Sequence, residues 1–340
     1  MTFSRKSRRR YLSAWVIALI LPLASGCVSL PDATALQNRQ AVNLNGTPFF
    51  PQEAYQCGPA ALATLLGASG VAVTPEELIP KVYLPERKGS LQLEMVAAAR
   101  SYGRIPYLIE PKLSHLLDEL DAGRPVLVLQ NLGFDAIPIW HYAVVIGYQP
   151  EQGKLLLRSG TDASKTLSVG KFIRTWGRAK SWAFVALRPD ELPANIDKTR
   201  LLNSAIAMET LNDTALSIAI YENLIKRFPN EAFVWLGLAN NYQRSQAYDK
   251  AIEAYYQVLR NRPDHIAATN NLALALSQVN CHDEAIKQAQ KATQLATRAQ
   301  QFVTESQHTL TEVKTAALSQ KREGAAPCSH ASRDWNPAQD

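Results

Sequence analysis

The sequence predicts an α+β domain followed by an all-α repeat domain. Three observations predict it. Over residues 42–190, helix-forming stretches come first and β-branched, apolar runs bounded by Gly and Pro come later, the order of helices followed by an antiparallel sheet. Over residues 198–299, aromatic, small and proline positions recur at a fixed period of about 34 residues. A chain of 340 residues suits about two domains at roughly 150 residues each. Hydrophobic residues make up 46% and charged residues 19%, enough to build two cores and too apolar for a mainly disordered chain.

Residues 1–26 read as an export signal and stand outside the fold. Arg5, Lys6, Arg8, Arg9 and Arg10 precede an apolar stretch at 11–24, and Ala24, Ser25 and Gly26 lead into Cys27. The stretch is short for a spanning helix, and no later apolar run is long enough to make one. Leu23-Ala24-Ser25-Gly26-Cys27 resembles the bacterial lipobox, which implies lipidation at Cys27. Val28 in place of Asp implies, by the same resemblance, an outer-membrane lipoprotein of the bacterial cell envelope that faces the periplasm. Ser7-Arg8-Arg9-Arg10-Tyr11-Leu12 also resembles a twin-arginine signal, so the export route stays open. The signal carries most of the chain's +6 charge: without it, 31 basic residues face 30 acidic ones. A nucleic-acid binder usually carries a basic footprint on its folded domain, so that class is disfavoured. Residues 27–41 have no period and read as a tether.

The domain at 42–190 centres on Tyr55-Gln56-Cys57-Gly58-Pro59-Ala60-Ala61-Leu62. Gly58 and Pro59 stop an extended segment, Pro is welcome in a first helical turn, and 60–66 are good helix formers. Cys57 therefore opens a helix, where free N–H groups and the dipole favour a nucleophilic thiolate. Downstream, Trp140-His141-Tyr142-Ala143-Val144-Val145-Ile146-Gly147 reads as a central strand with a histidine at its mouth. Between them, Thr74-Pro75-Glu76-Glu77 predicts a boxed helix start, and Ser90 is the expected cap of a helix reaching Arg100. Strands are expected at 105–109, 125–130, 154–157 and 182–187, with a helix at 113–120.

The motifs at Cys57 and His141 resemble, in kind and in separation, the papain-like cysteine peptidases that process bacteriocin leaders, over about residues 45–188. The likeness is greatest to lipoprotein members with a helical-repeat tail. It implies a papain-like fold, Cys57 as nucleophile and His141 as base. That family also places a glutamine six residues before the cysteine as an oxyanion donor. Position 51 here is Pro, so Gln52 is the favoured counterpart, ahead of Gln56. An acid usually follows on the strand after the histidine; here Ser159 stands at that place, with Asp162 and Asp135 as alternatives.

In the second domain, Tyr221 recurs as Tyr255, Pro229 as Pro263, Leu238 as Leu272, Ala239 as Ala273 and Ala251 as Ala285. This resembles the tetratricopeptide repeat, in frames 198–231, 232–265 and 266–299. The resemblance implies a concave surface for a protein partner. Residues 300–340 are expected to form a capping helix and a disordered tail. Cys281 and Cys328 are left open as a pair. The other five histidines (115, 265, 282, 308 and 330) read as surface residues.

The combined expectation is a membrane-anchored periplasmic cysteine peptidase that acts on an exported peptide or protein. A peptidase-fold adaptor that binds such a peptide and a cell-wall peptide amidase are the alternatives. No phosphate-binding loop and no metal-ligand cluster is present in the sequence, so no cofactor is expected.

Overall fold

The computed structural model describes residues 33–51, 56–320 and Cys328. Helices α1 (Cys57–Ala68), α2 (Pro75–Val82) and α3 (Gln92–Ser101) come first, with a small ribbon of β2 (Tyr83–Leu84) and β3 (Gly89–Ser90) between the last two. The main sheet contains β4 (Ile105–Leu108), β5 (Val126–Asn131), β6 (Trp140–Gln149), β7 (Lys154–Ser159), β8 (Asp162–Ser168) and β9 (Ala183–Leu187). Its order is β4-β9-β5-β6-β7-β8, and β1 (Val42–Asn43) joins β6; the pairs are antiparallel. Gly147 admits β1, because a Cβ there would lie 2.1 Å from the Val42 carbonyl oxygen.

Alternation along β6 separates two cores. Tyr142, Val144 and Ile146 pack with Leu62, Leu66 and Met95 of α1 and α3. Ala143 and Val145 face the other way, with Leu116 of α4 (Leu113–Asp121) and Phe172 and Trp176 of α5 (Val169–Arg178). β6 is thus buried on both faces, and its position between β5 and β7 makes it central.

Six repeat-region helices follow: α6 (Lys198–Met208), α7 (Thr214–Arg227), α8 (Ala232–Arg244), α9 (Tyr248–Asn261), α10 (Ile266–Gln278) and α11 (His282–Ala299). First helices start at 198, 232 and 266 and second helices at 214, 248 and 282, so every step equals the period of the sequence repeat. A final α12 (Val303–Gln320) packs on α11. Small residues set the helix spacing. A Cβ on Gly237 would lie 2.3 Å from the Tyr221 ring, and Ala251 is fully buried among Tyr255, Leu272 and Ala273. Ala251→Leu is therefore expected to lower the stability of this region by about 1–3 kcal/mol through overpacking, read as a lower unfolding midpoint.

The two regions are packed as one body. α6 lies along edge strand β4, where Arg200 Nη1 donates to the Leu108 carbonyl (2.9 Å) and Ser204 Oγ to that of Pro106 (3.4 Å). These side chains occupy carbonyls that an open sheet edge would offer to another strand. Leu201, Ala205 and Met208 belong to the same apolar cluster as Val185 and Leu187.

Several sequence expectations are corrected. The tether at 27–41 is docked from residue 33 onward: Leu36 is buried, and Arg39 pairs with Asp118 at 2.6 Å and Asp121 at 2.5 Å. Ser90 does not cap α3; Leu91 holds the cap position without a side-chain bond, because Ser90 is in β3. β8 and α5 fill a stretch where no element was expected, and β7 runs on to Ser159. His265 caps α10 through Nδ1, which accepts from the Ala268 N–H at 3.2 Å. Both ring nitrogens of His282 are shut off from solvent, so neither histidine is a plain surface residue. Within the tail, Cys328 is bonded to Cys281, which ties position 328 to the repeat core. Cys27 and Gln52 lie outside the described residues. No described helix is long and apolar enough to cross a membrane.

Candidate active site

Cys57 is the first residue of α1, as the Gly-Pro pair after it predicts. Gly58 is needed there: a Cβ would lie 2.2 Å from Ser90 Oγ. The thiol is half-buried and receives the backbone N–H groups of Tyr142, Gly58 and Cys57 itself. Tyr142 follows His141 on β6, so the thiol and the histidine segment meet at one end of the central strand.

Burial pushes the Cys57 thiol above its ordinary range, and the three N–H groups oppose that shift without cancelling it. The expectation of a thiolate stabilised by the helix start is therefore not met in the free structure. Desolvation disfavours the anion more than the helix N-terminus favours it. His141 is pushed down from 6.5 to about 4, chiefly by burial and further by the positive charge of Lys165. The pair accordingly rests as neutral thiol and neutral imidazole at pH 7.

Ser159 is buried, and its Oγ lies 2.8 Å from His141 Nε2. The alternatives are elsewhere. Asp135 is exposed in the β5–β6 loop, and Asp162 is exposed and accepts the Ser164 N–H at 2.8 Å. Gln56 precedes α1 and makes no side-chain cap bond. Arg158 holds the turn after β1, donating to the carbonyls of Asn45 at 3.1 Å and Thr47 at 3.0 Å.

Three neighbours were not singled out from the sequence. Tyr142 supplies an N–H to the thiol, and its phenol donates to the Ser90 carbonyl at 3.2 Å. Lys165 biases His141 from β8, a strand that the sequence reading missed. The third is the β5–β6 loop. Leu132, Phe134, Ile137, Ile139 and Trp140 are all exposed, Phe134 at 78% and Ile137 at 73%. This tip is built and held: Asn131 Oδ1 accepts from the N–H groups of Gly133 (3.0 Å) and Ile139 (2.9 Å), and Phe134 and Ile137 exchange backbone bonds. Residues 137–140 are apolar in the sequence, a pattern that a buried strand start would equally produce.

The fold is that of a C39-like peptidase domain joined to helical repeats. More narrowly, residues 44–183 match the Peptidase_C39 like family, and residues 201–231 and 231–265 match the Tetratricopeptide repeat. Among solved structures, the chain is similar to a C39-like peptidase from Bacillus anthracis, at 18% identity and a TM-score of 0.37, over 44% of this chain and 98% of that one. It is similar to the peptidase domain of Streptococcus ComA, a bi-functional ABC transporter involved in quorum sensing, at 23% identity and a TM-score of 0.34, over 42% and 99%. Two curated peroxisomal targeting signal receptors, from Saccharomyces cerevisiae and Candida glabrata, are 27% identical over 92 and 79 residues, or 27% and 23% of this chain. The chain spans about 15% and 13% of their respective lengths.

Proposed function

We propose that this protein is a cysteine peptidase of the bacterial envelope that cleaves an exported peptide or protein. The observation that carries this reading is the His141–Ser159 hydrogen bond beside a helix-opening Cys57 that receives the Tyr142 N–H. With Nε2–H donating to Ser159 Oγ, Nδ1 is left as the base. Cys57 Sγ attacks the scissile carbonyl as its proton passes to His141. The tetrahedral oxyanion takes the Cys57 N–H and the Gln52 amide. The C–N bond then breaks, His141 protonates the leaving amine, and a thioester remains. Water, deprotonated by His141, hydrolyses it and frees the thiol. Because both groups rest neutral, the proton moves during attack rather than beforehand. The exposed apolar tip supports a substrate that brings apolar residues alongside the scissile bond, and the repeats support a protein partner or presentation of that substrate.

The pH profile tests the base. His141 accepts a proton only when neutral, so the acid limb of kcat/KM is expected near pH 4 rather than 6.5. Ser159→Asp sets a carboxylate against Nε2, favours the imidazolium and moves that limb to higher pH. A limb that stays in place would remove Ser159 from the histidine's partners.

The adaptor reading is favoured by one observation: the histidine's partner is a serine, which orients an imidazole but does not stabilise its charged form as a carboxylate does. For the location, the layout of residues 1–27 supports a lipid anchor at Cys27, and the Cys281–Cys328 bridge fits an oxidising compartment. Cys27→Ser is expected to move the protein from the membrane pellet to the soluble fraction. Retention in the pellet after a high-salt wash would refute the anchor.

A further inference from the structure

The docked part of the N-terminal segment and the catalytic end of the sheet lie at opposite ends of one strand. Residues 33–36 form a turn of helix, and Leu36 and Gln37 line a groove with Pro150, Gly153, Val169 and Ile173, beside the turn that joins β6 to β7. β1 pairs with the same end of β6, Val42 opposite Tyr148. Cys57, His141 and the apolar tip sit at the other end, where β6 begins with Trp140. Trp140 and Tyr148 are eight residues apart on this strand, which is about 25 Å at roughly 3.3 Å per residue.

From Cys27 to Ala33 there are six residues, and at full extension they span at most about 22 Å. A molecule standing upright on its apolar tip, with β6 along the membrane normal, would hold Ala33 about 25 Å above the membrane surface, at or past the end of that reach. The short lead also keeps the 150–153 turn close to the lipid headgroups.

We propose that the bilayer faces the sheet end carrying residues 33–37 and 150–153, and that the catalytic end with its apolar tip points away from the membrane. This rests on the lipidation of Cys27 proposed above. The apolar tip is then a surface for soluble peptide and not a second membrane anchor. A substrate approaches from the aqueous side and need not be embedded in lipid.

The test uses the full chain, lipidated in cells and reconstituted into phosphatidylethanolamine/phosphatidylglycerol vesicles containing a headgroup spin-labelled lipid. Cys57→Ala serves only to keep the dye off the active site. A fluorophore is placed at Glu151→Cys in one sample and Phe134→Cys in another; both positions are exposed. The expected result is strong quenching at 151 and none at 134. Quenching at 134 equal to or greater than that at 151 would overturn the proposal and put the tip in the bilayer. Absence of quenching at both positions in vesicle-bound protein would overturn it as well. Flotation of the Cys27→Ser chain keeps the two readings apart. If that chain still floats with the vesicles, the anchor itself is refuted; if it does not, a contrary quenching pattern refutes only the orientation.

Discussion

Replacing Cys57 with alanine is expected to lower kcat/KM for peptide cleavage by about 10⁴-fold or more, because no other group forms the thioester. The fold should be unaffected: Cys57 is a half-buried first-turn residue, and its removal strips no partner from a buried charge. His141→Ala should cost a comparable factor, and the two losses should not add, because nucleophile and base act as one unit. The measurement is mass-spectrometric detection of cleaved products from a peptide library, with binding followed separately. If the parent protein binds peptides but yields no product above the Cys57→Ala level, the adaptor reading replaces the peptidase. Muropeptides offered beside linear peptides test the amidase alternative in the same assay.

Removing the disulfide should give the largest loss of stability. Cys281 and Cys328 are 47 residues apart, and the loop they close contains α11 and α12. Closing a loop of that length removes unfolded-state entropy equivalent to about 4 kcal/mol at 25 °C. A Cys281→Ser, Cys328→Ser chain, or the parent under a dithiol reductant, should show the repeat region melting about 10 °C or more lower. The acid limb of peptide cleavage should stay in place, because the bridge is packed in the repeat core with Tyr255 and Leu276 and far along the chain from His141. An unshifted transition would mean that α11 and α12 hold without the covalent tie.

The resting protonation state changes how such a site is recognised. A helix start and a neighbouring histidine suggest an ion pair, yet burial acts on both partners in the direction of neutrality: it raises the thiol and lowers the imidazole. Slow alkylation of the free protein is thus compatible with a competent enzyme. Substrate binding that brings the oxyanion donors into play lowers the cost of charge during the step itself.

Much of this architecture was legible in the linear sequence because it depends on local chemistry. Gly58-Pro59 before a run of alanines and leucines makes Cys57 a helix start whatever surrounds it. The β-branched run after His141 makes a central strand because both of its faces are apolar. The regular recurrence of aromatic, small and proline positions sets the helix starts at 198, 232 and 266, since each unit must offer its neighbour the same face. Other features depend on groups distant in sequence. Ser159 faces His141 Nε2 across paired strands, a register that no local pattern specifies. The docking of residues 33–39, the seating of α6 on β4 and the Cys281–Cys328 bond join segments separated by tens of residues. The direction of the thiol's shift was likewise decided by tertiary structure. A helix terminus is written in the sequence, whereas the desolvation that outweighs it comes from the packing of β6 and α3 around the site.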